Sequence, residues 1–445
     1  MAPSPTGFFH VGSLRTALYC YLYAHSHGGK YLIRIEDTDK IRSKKEYEDD
    51  ILDSLEWLGL KHDLFFRQSE HLADHKKYLE QLLDGGHAYV SKEEAKDEHA
   101  KGEVREVIRF KNPNETVTFN DLVLGEISVD TTDLGDFVIA KDFDTPLYNF
   151  AVVVDDIAAN ITHVIRGQDH VPNTPRQILL YRALGKTPPA FAHLPLIVAP
   201  DKSKLSKRKH GESVSVRFYR KQGYLPEALI NFMTLIGWNP GTDQEIFSLE
   251  ELVKTFTLER VQKSPGVFNL DKLNWLNKEY IRKMDPAARW EKILEYVPAV
   301  FTDAPWFNQN IFNKLQSLIG ERIEKFSDVT TMIEAGEIDF FFKKPALVGE
   351  KISFKGSTAD ETKAHLAKAQ QILTDISDSD WNVEYIKGKI MEYADSLPKR
   401  GPALHPLRYG LSGLEKSPDP FTIASIIGKQ ETLERIEDTL RYFGT

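Results

Sequence analysis

Residues 2–39 place a turn, an amphipathic helix and an apolar strand in immediate succession, and that order restricts the fold more than any other stretch. Pro3-Ser4-Pro5-Thr6-Gly7 is a turn-rich loop whose prolines exclude a helix. His10, Gly12 and Ser13 then lead into a helical pattern. Leu14, Ala17, Leu18, Tyr21 and Leu22 recur at i, i+3, i+4, i+7 and i+8, which is one apolar face. Gly28-Gly29 stops the pattern, Tyr31–Ile35 reads as a buried strand, and Glu36, Asp37 and Asp39 close it. Such a loop–helix–strand unit offers anionic ligands the unpaired N–H groups and partial positive charge of a helix N-terminus. Gly12 would let a phosphate or base approach the backbone, and His10 can donate a hydrogen bond to it.

A second stretch points the same way. In Lys202-Ser203-Lys204-Leu205-Ser206-Lys207-Arg208-Lys209, five of eight residues are basic, with hydroxyls between them. The run follows an apolar strand-like segment, His193–Ala199, and a turn at Pro200-Asp201. A basic run is by default a solvated face. After a strand, however, a lysine loop is what a triphosphate site needs, because charge builds on the departing pyrophosphate.

The rest of the chain sorts into blocks. Its 445 residues are enough for two to four domains. Helices are expected over 43–60 and from Gln68 to Gly86, layered on a parallel sheet. Residues 91–106 are almost wholly polar, and alternating β signals follow at 107–110, 116–119, 125–129 and 137–140. Residues 89–147 therefore read as an insertion looped out of the nucleotide-binding domain. A strand at Ile161–Ile165 would deliver Arg166 and Asp169 at its C-terminal end, where open α/β sheets bind ligands. From about Leu225 the pattern is helical. Segments 311–323, 326–333, 362–376, 382–397 and 420–442 read as helices, with a loop carrying Lys399, Arg400, His405 and Arg408 between them.

Composition narrows the class of protein. Hydrophobic content of 41% and charged content of 28% are ordinary for a globular protein, and no apolar run approaches the ~20 residues of a membrane span. Cys20 is the one cysteine, so no disulfide forms within the chain, no cysteine zinc site is possible, and a reducing compartment fits. No secretory leader is evident, and a cytoplasmic location is expected. A net charge of −9 leaves RNA binding to a local basic face.

These stretches together carry a family resemblance. His10-Val11-Gly12-Ser13 resembles the "HIGH" signature of class I aminoacyl-tRNA synthetases, and Lys204–Arg208 resembles their "KMSKS" loop. APSPTG at 2–7, RIEDTD at 34–39, YNFAVVVDD at 148–156 and RGQDH at 166–170 narrow the resemblance to glutamyl-tRNA synthetases of bacterial or organellar type. The motifs run in the family's order from residue 2 to about 280, with a weaker match beyond.

The resemblance implies an α/β fold. A Rossmann-type catalytic domain that binds ATP and glutamate would span 1–88 and 148–220, with an α+β insertion at 89–147 contacting the tRNA acceptor end. A helical stem-contact domain at 221–290 and an α-helical anticodon-binding domain at 291–445 would follow. It implies an ATP-dependent ligase, a monomer, acting on L-glutamate and tRNA(Glu), with Mg²⁺ carried mostly by ATP phosphates and water and with no zinc. His10, Lys204 and Lys207 would be catalytic. His10, Gly12, Asp169, Ile197, Lys204, Lys207 and Arg208 would bind ATP, Ile197 through its backbone to adenine. Ser4, Glu36, Tyr148 and Arg166 would bind glutamate: Glu36 its ammonium, Arg166 a carboxylate, the two hydroxyls by neutral hydrogen bonds. Lys399, Arg400 and Arg408 would contact tRNA.

The family pattern also has an arginine two residues ahead of Ala2, before Met1 in this numbering; either the start is assigned late, or the site is short of that cation and is expected to hold glutamate weakly. Two alternatives stay open on sequence alone: a glutaminyl-tRNA synthetase, whose anticodon region would be β-barrels, and a non-catalytic tRNA-binding paralogue.

Overall fold

The computed structural model describes residues 1–94, 104–205, 209 and 211–444, which form two compact units, Met1–Tyr280 and Ile281–Thr445. Lys207 and Arg208 lie outside the described residues. In the first unit, α1 (Val11–Ser26) starts at an extended N-cap, His10, and ends as Gly28 turns to φ +64°. Leu14, Ala17, Leu18 and Leu22 are fully buried, as the periodicity requires. Tyr21 is only half-buried. Its neighbour Tyr19 is buried instead, because its hydroxyl reaches the Thr234 and Ile236 carbonyls at 3.0 Å.

The strands β1 (Leu32–Ile35) and β2 (Leu64–Arg67) pair in parallel on either side of α2 (Lys45–Trp57). Every β1 residue is buried, as expected for a strand covered on both faces. After α3 (Leu72–Asp84), strands β3 (Ala88–Glu94) and β4 (Val104–Phe110) begin an antiparallel sheet. Next come β5 (Thr116–Asp121), β6 (Gly125–Asp130) and β7 (Phe137–Ala140), and β7 returns to pair with β4. Helix α4 (Tyr148–Ala158), strand β8 (His163–Gly167), helix α5 (Thr174–Ala183) and strand β9 (Ala190–Leu194) resume the α/β alternation.

The insertion is not wholly looped out. The sheet order is β6-β5-β9-β8, with β5 parallel to β9 through Asp121 and Phe191. Buried Val117 faces the same apolar cluster as Phe191, and this burial draws β5 into the sheet of β8 and β9. A short β10 (Ile197–Val198) pairs with β11 (Gly266–Val267). The core of the unit joins α1, β1, β8 and β9 through Leu14, Leu18, Ile33, Ile165 and Leu194.

The second unit is helical. Three readings change there: the 311–323 stretch is two short helices, Gln309–Lys314 and Gln316–Arg322, and two further stretches differ. The Lys399–Arg408 stretch is not a loop: Gly401–Ser412 is a helix. Pro402 sits in its first turn, where the N–H would go unbonded in any helix. Gly410 lets it approach the helix Lys429–Arg441, since a Cβ there would fall 2.5 Å from Thr439 Oγ1. The 420–442 stretch is two helices, Pro420–Ile427 and Lys429–Arg441, broken where Gly428 takes φ +88°. Among the described residues no helix is long and apolar enough to cross a membrane.

Candidate active site

A cleft of about 1090 Å³ opens between the loop ahead of α1, the C-terminal ends of β1 and β8, and the segment after β9. It brings together Ser4, His10, Gly12, Glu36, Tyr148, Arg166, Asp169, Ile197 and Lys204. It runs on between β1 and β8 past Cys20 and His163.

On the phosphate-directed side, His10 Nδ1 accepts the Gly12 N–H at 3.0 Å. That bond fixes the imidazole with its proton on Nε2, the only nitrogen left to donate into the cleft. It also occupies the Gly12 N–H, so Gly12 serves the imidazole and not, through that group, a phosphate. A Cβ on Gly12 would lie 3.2 Å from His10 Nδ1. Burial, and then the charge of Lys204, push the His10 imidazole below its ordinary value, so it is neutral at pH 7.

Lys204 is held by a bridge to Val198, and the turn before it is tight: Lys202 takes φ +64° and Asp201 accepts from Ser203 N at 3.0 Å and Ser203 Oγ at 2.6 Å. Lys209 Nζ reaches both Asp201 and Ser203. Bonds from Lys209 and Ser203 hold the Asp201 carboxyl well below the usual carboxylate range. Ile197 is buried in β10. The bonds that pair β10 with β11, Gly266 N to Leu196 O and Phe268 N to Val198 O, use neither its N–H nor its C=O. Asp169 is exposed on the cleft wall and folds over Gly167, where a Cβ would fall 2.5 Å from its Oδ1.

The opposite side carries a buried charge cluster that the sequence did not single out. Arg34, on β1, bonds Glu36 Oε1 at 3.2 Å and Asp156, and its Nε stands 3.7 Å from Asp155. Burial alone would depress the Arg34 guanidinium; Asp156, Glu36 and Asp155 reverse this and hold it far above its ordinary value. Burial pushes the Glu36 carboxyl up, against the pull of Arg34. Ser4 Oγ is 3.5 Å from Glu36 Oε2. Behind the cluster, Asp155 accepts from Gln68 Nε2 at 2.6 Å and pairs with His75 Nε2 at 2.7 Å. On the cleft wall itself the Arg34 guanidinium stands against two carboxylates, Glu36 and Asp156, so this wall is net negative and suits an ammonium.

Arg166 supplies the countercharge. Its Nε donates to His193 Nε2 at 3.1 Å and its Nη2 to Thr174 Oγ1 at 2.8 Å. Only the Nη1 and Nη2 end of the fork is left for a carboxylate. Tyr148 opens α4 with its hydroxyl 3.1 Å from His170 Nδ1, and burial followed by the charge of Glu36 pushes that hydroxyl up to about 12.

The residues missed by sequence reasoning are Arg34, Asp156, Asp155, His193 and Asp121. The available signal was an arginine inside an otherwise apolar strand and two acids ending an apolar helix, both costly unless paired. In the second unit Lys399 and Arg400 are exposed, Arg400 pairs with Asp395, and Arg408 Nη2 donates to Glu415 O at 2.9 Å. Among the described residues no group of three or more His, Cys, Asp or Glu side chains is arranged to hold a metal.

A parallel α/β sheet with a histidine-capped helix and a lysine turn on one ligand cleft defines a nucleotide-binding enzyme of the class I tRNA synthetase type. The family model "tRNA synthetases class I (E and Q), catalytic domain" matches residues 1–97 and 90–275, and "Anticodon binding domain" matches 279–440. The chain belongs to this family, in its glutamate–tRNA ligase branch. It is 39% identical to a glutamate–tRNA ligase of Carboxydothermus hydrogenoformans, over 98% of each chain. It is 49% identical to that of Aquifex aeolicus over 64% of this chain and 67% of the relative. A crystal structure of a glutamate tRNA ligase from Elizabethkingia meningosepticum, in complex with its amino acid, superposes with a TM-score of 0.84 at 32% identity, covering 99% of this chain and 98% of that one.

Proposed function

We propose a two-step course for this chain, a glutamate–tRNA ligase. The glutamate carboxylate attacks the α-phosphorus of ATP and pyrophosphate leaves; a terminal ribose hydroxyl of tRNA(Glu) then takes the acyl group and AMP departs. The carboxylate is ionised at neutral pH, so the first step needs no base, only alignment and charge stabilisation. His10, through its Nε2 proton, and Lys204 and Lys207 stabilise the phosphates and the leaving pyrophosphate. Ile197 offers its backbone to adenine, and Asp169 and Arg208 border the nucleotide. Glu36 takes the substrate ammonium, Arg166 a carboxylate, and Ser4 and Tyr148 donate neutral hydrogen bonds. Mg²⁺ enters with ATP as part of the substrate, held by phosphates and water.

The domain assignments follow the same reading: 1–88 with 148–220 catalytic, 89–147 acceptor-binding, 221–290 stem-contacting, 291–445 anticodon-binding. Lys399, Arg400 and Arg408 belong to the RNA face. The enzyme works as a monomer in the cytoplasm, for which a lone cysteine is suited.

The observation that supports this reading best is the polarity of the cleft. The Arg34–Glu36–Asp156 wall, backed by Asp155, and the Arg166 fork line the same pocket as His10 and Lys204. A molecule with one ammonium and two carboxylates fits between such walls, and a neutral side-chain amide would leave the cationic fork unpaired. The test is ATP–pyrophosphate exchange with glutamate and tRNA, then charging of a total tRNA pool. Glutamate-dependent exchange and acylation of tRNA(Glu) are expected. Retained tRNA binding without exchange would overturn the proposal.

A further inference from the structure

Among the described residues no carboxylate stands at ion-pair distance from the half-buried Arg166. Its Nε–H meets a bare imidazole nitrogen, His193 Nε2, at 3.1 Å. An arginine nitrogen has no lone pair to offer, so Nε2 must be the unprotonated nitrogen and the proton must sit on Nδ1. What enforces that tautomer is Asp121, whose Oδ2 is 2.6 Å from His193 Nδ1. Asp121 is itself locked: its Oδ1 accepts from Val123 N at 3.0 Å and Leu124 N at 2.8 Å, and its Oδ2 accepts from His193 N at 3.1 Å. Burial works against its charge, but the bonds from His193 and these amides outweigh it and hold the carboxyl below its ordinary range. Asp121, His193 and Thr174 are all buried, and Thr174 Oγ1 makes the second bond to Arg166 at 2.8 Å.

We propose that Asp121 and His193, with Thr174, are positioning residues for the amino acid. They aim the Arg166 fork so that its Nη1/Nη2 edge faces the cleft, and neither Asp121 nor His193 touches substrate. The proposal rests on the assignment of Arg166 as the carboxylate grip. An arginine side chain has much rotamer freedom to lose on being ordered. Two anchors made before substrate arrives remove that cost from binding, so their loss should appear in the KM for glutamate and leave the KM for ATP nearly untouched.

Three variants separate the roles. In His193→Asn the amide nitrogen stands near the place of Nδ1 and keeps the Asp121 bond, but no atom reaches Arg166. In His193→Gln the amide oxygen stands near the place of Nε2 and again accepts from Arg166. Thr174→Val removes the second anchor, together with the 3.1 Å contact from Thr174 Oγ1 to His193 Nε2, and leaves the Asp121–His193 bond in place. Exchange kinetics on the full chain should give a glutamate KM at least tenfold higher for His193→Asn, an ATP KM within twofold of the parent, and recovery of most of the loss in His193→Gln. Thr174→Val should raise the glutamate KM at least threefold, and it decides the matter if His193→Asn does not fold. A parent without glutamate-dependent exchange would refute the functional reading itself. An active parent whose folded variants keep its glutamate KM would overturn this inference alone.

Discussion

Gly12→Ala probes the histidine-capped helix where stability and activity should part company. The added Cβ would stand 3.2 Å from His10 Nδ1 and 3.8 Å from Cε1, so the ring must shift by a few tenths of an ångström or more. Moving it weakens the 3.0 Å bond from the Gly12 N–H, the side-chain cap of α1. Loss of such a cap costs about 1 kcal/mol. Alanine in place of glycine in the first turn returns up to about 1 kcal/mol of helix propensity. The two nearly cancel, and the unfolding midpoint should stay within about 4 °C of the parent for a unit of this size. Activity has no such compensation. Losing one well-placed donor costs about 3 kcal/mol in the barrier, and a displaced one a large part of that. Pyrophosphate exchange should therefore fall at least tenfold while a thermal melt scarcely moves. Parental exchange rates with an unchanged melt would refute the role given to the His10 imidazole. A large fall in the melt would refute the cancellation.

Glu36→Gln should raise the glutamate KM at least tenfold and yet stabilise the chain at pH 7. Burial holds the Glu36 carboxyl above its ordinary range, so the stability it contributes is present at acid pH and is lost as pH rises through that value. A lower denaturation midpoint for the variant at pH 7 would contradict this. Lys204→Met should move the His10 titration, followed by NMR, up toward the ordinary histidine value, because one of its two depressing influences is gone. An unchanged or lower titration point would exclude Lys204 as a neighbour in solution. Lys207→Ala should slow activation at least tenfold with the fold intact, and turnover equal to the parent would remove Lys207 from the machinery.

What could be read in the chain was whatever local pattern dictates. The apolar stripe of Leu14, Leu18 and Leu22, the Gly28 stop and the strand at Leu32–Ile35 all follow from nearest-neighbour chemistry. So does the convergence of His10, Glu36, Tyr148, Arg166 and Lys204 on one cleft, because strand ends and the loops beyond them gather on one edge of an α/β sheet. Long-range pairings were not legible. Arg34 meets Asp156 across 122 positions, and Asp121 meets His193 across 72. Each is an ordinary charged or polar residue in its own segment, and only tertiary packing makes it a partner. The helix over Gly401–Ser412 was hidden for the opposite reason: its prolines advertise a break, while packing against Lys429–Arg441 keeps it wound.

Because β5 carries Asp121 into the sheet, residues 89–147 are not a cassette that can be exchanged at will. A chimera that kept every substrate-touching residue but took this stretch from a donor without an acid at the strand's last position would lose its aim at the amino acid. Swaps of this stretch should succeed only when the donor brings its own aspartate.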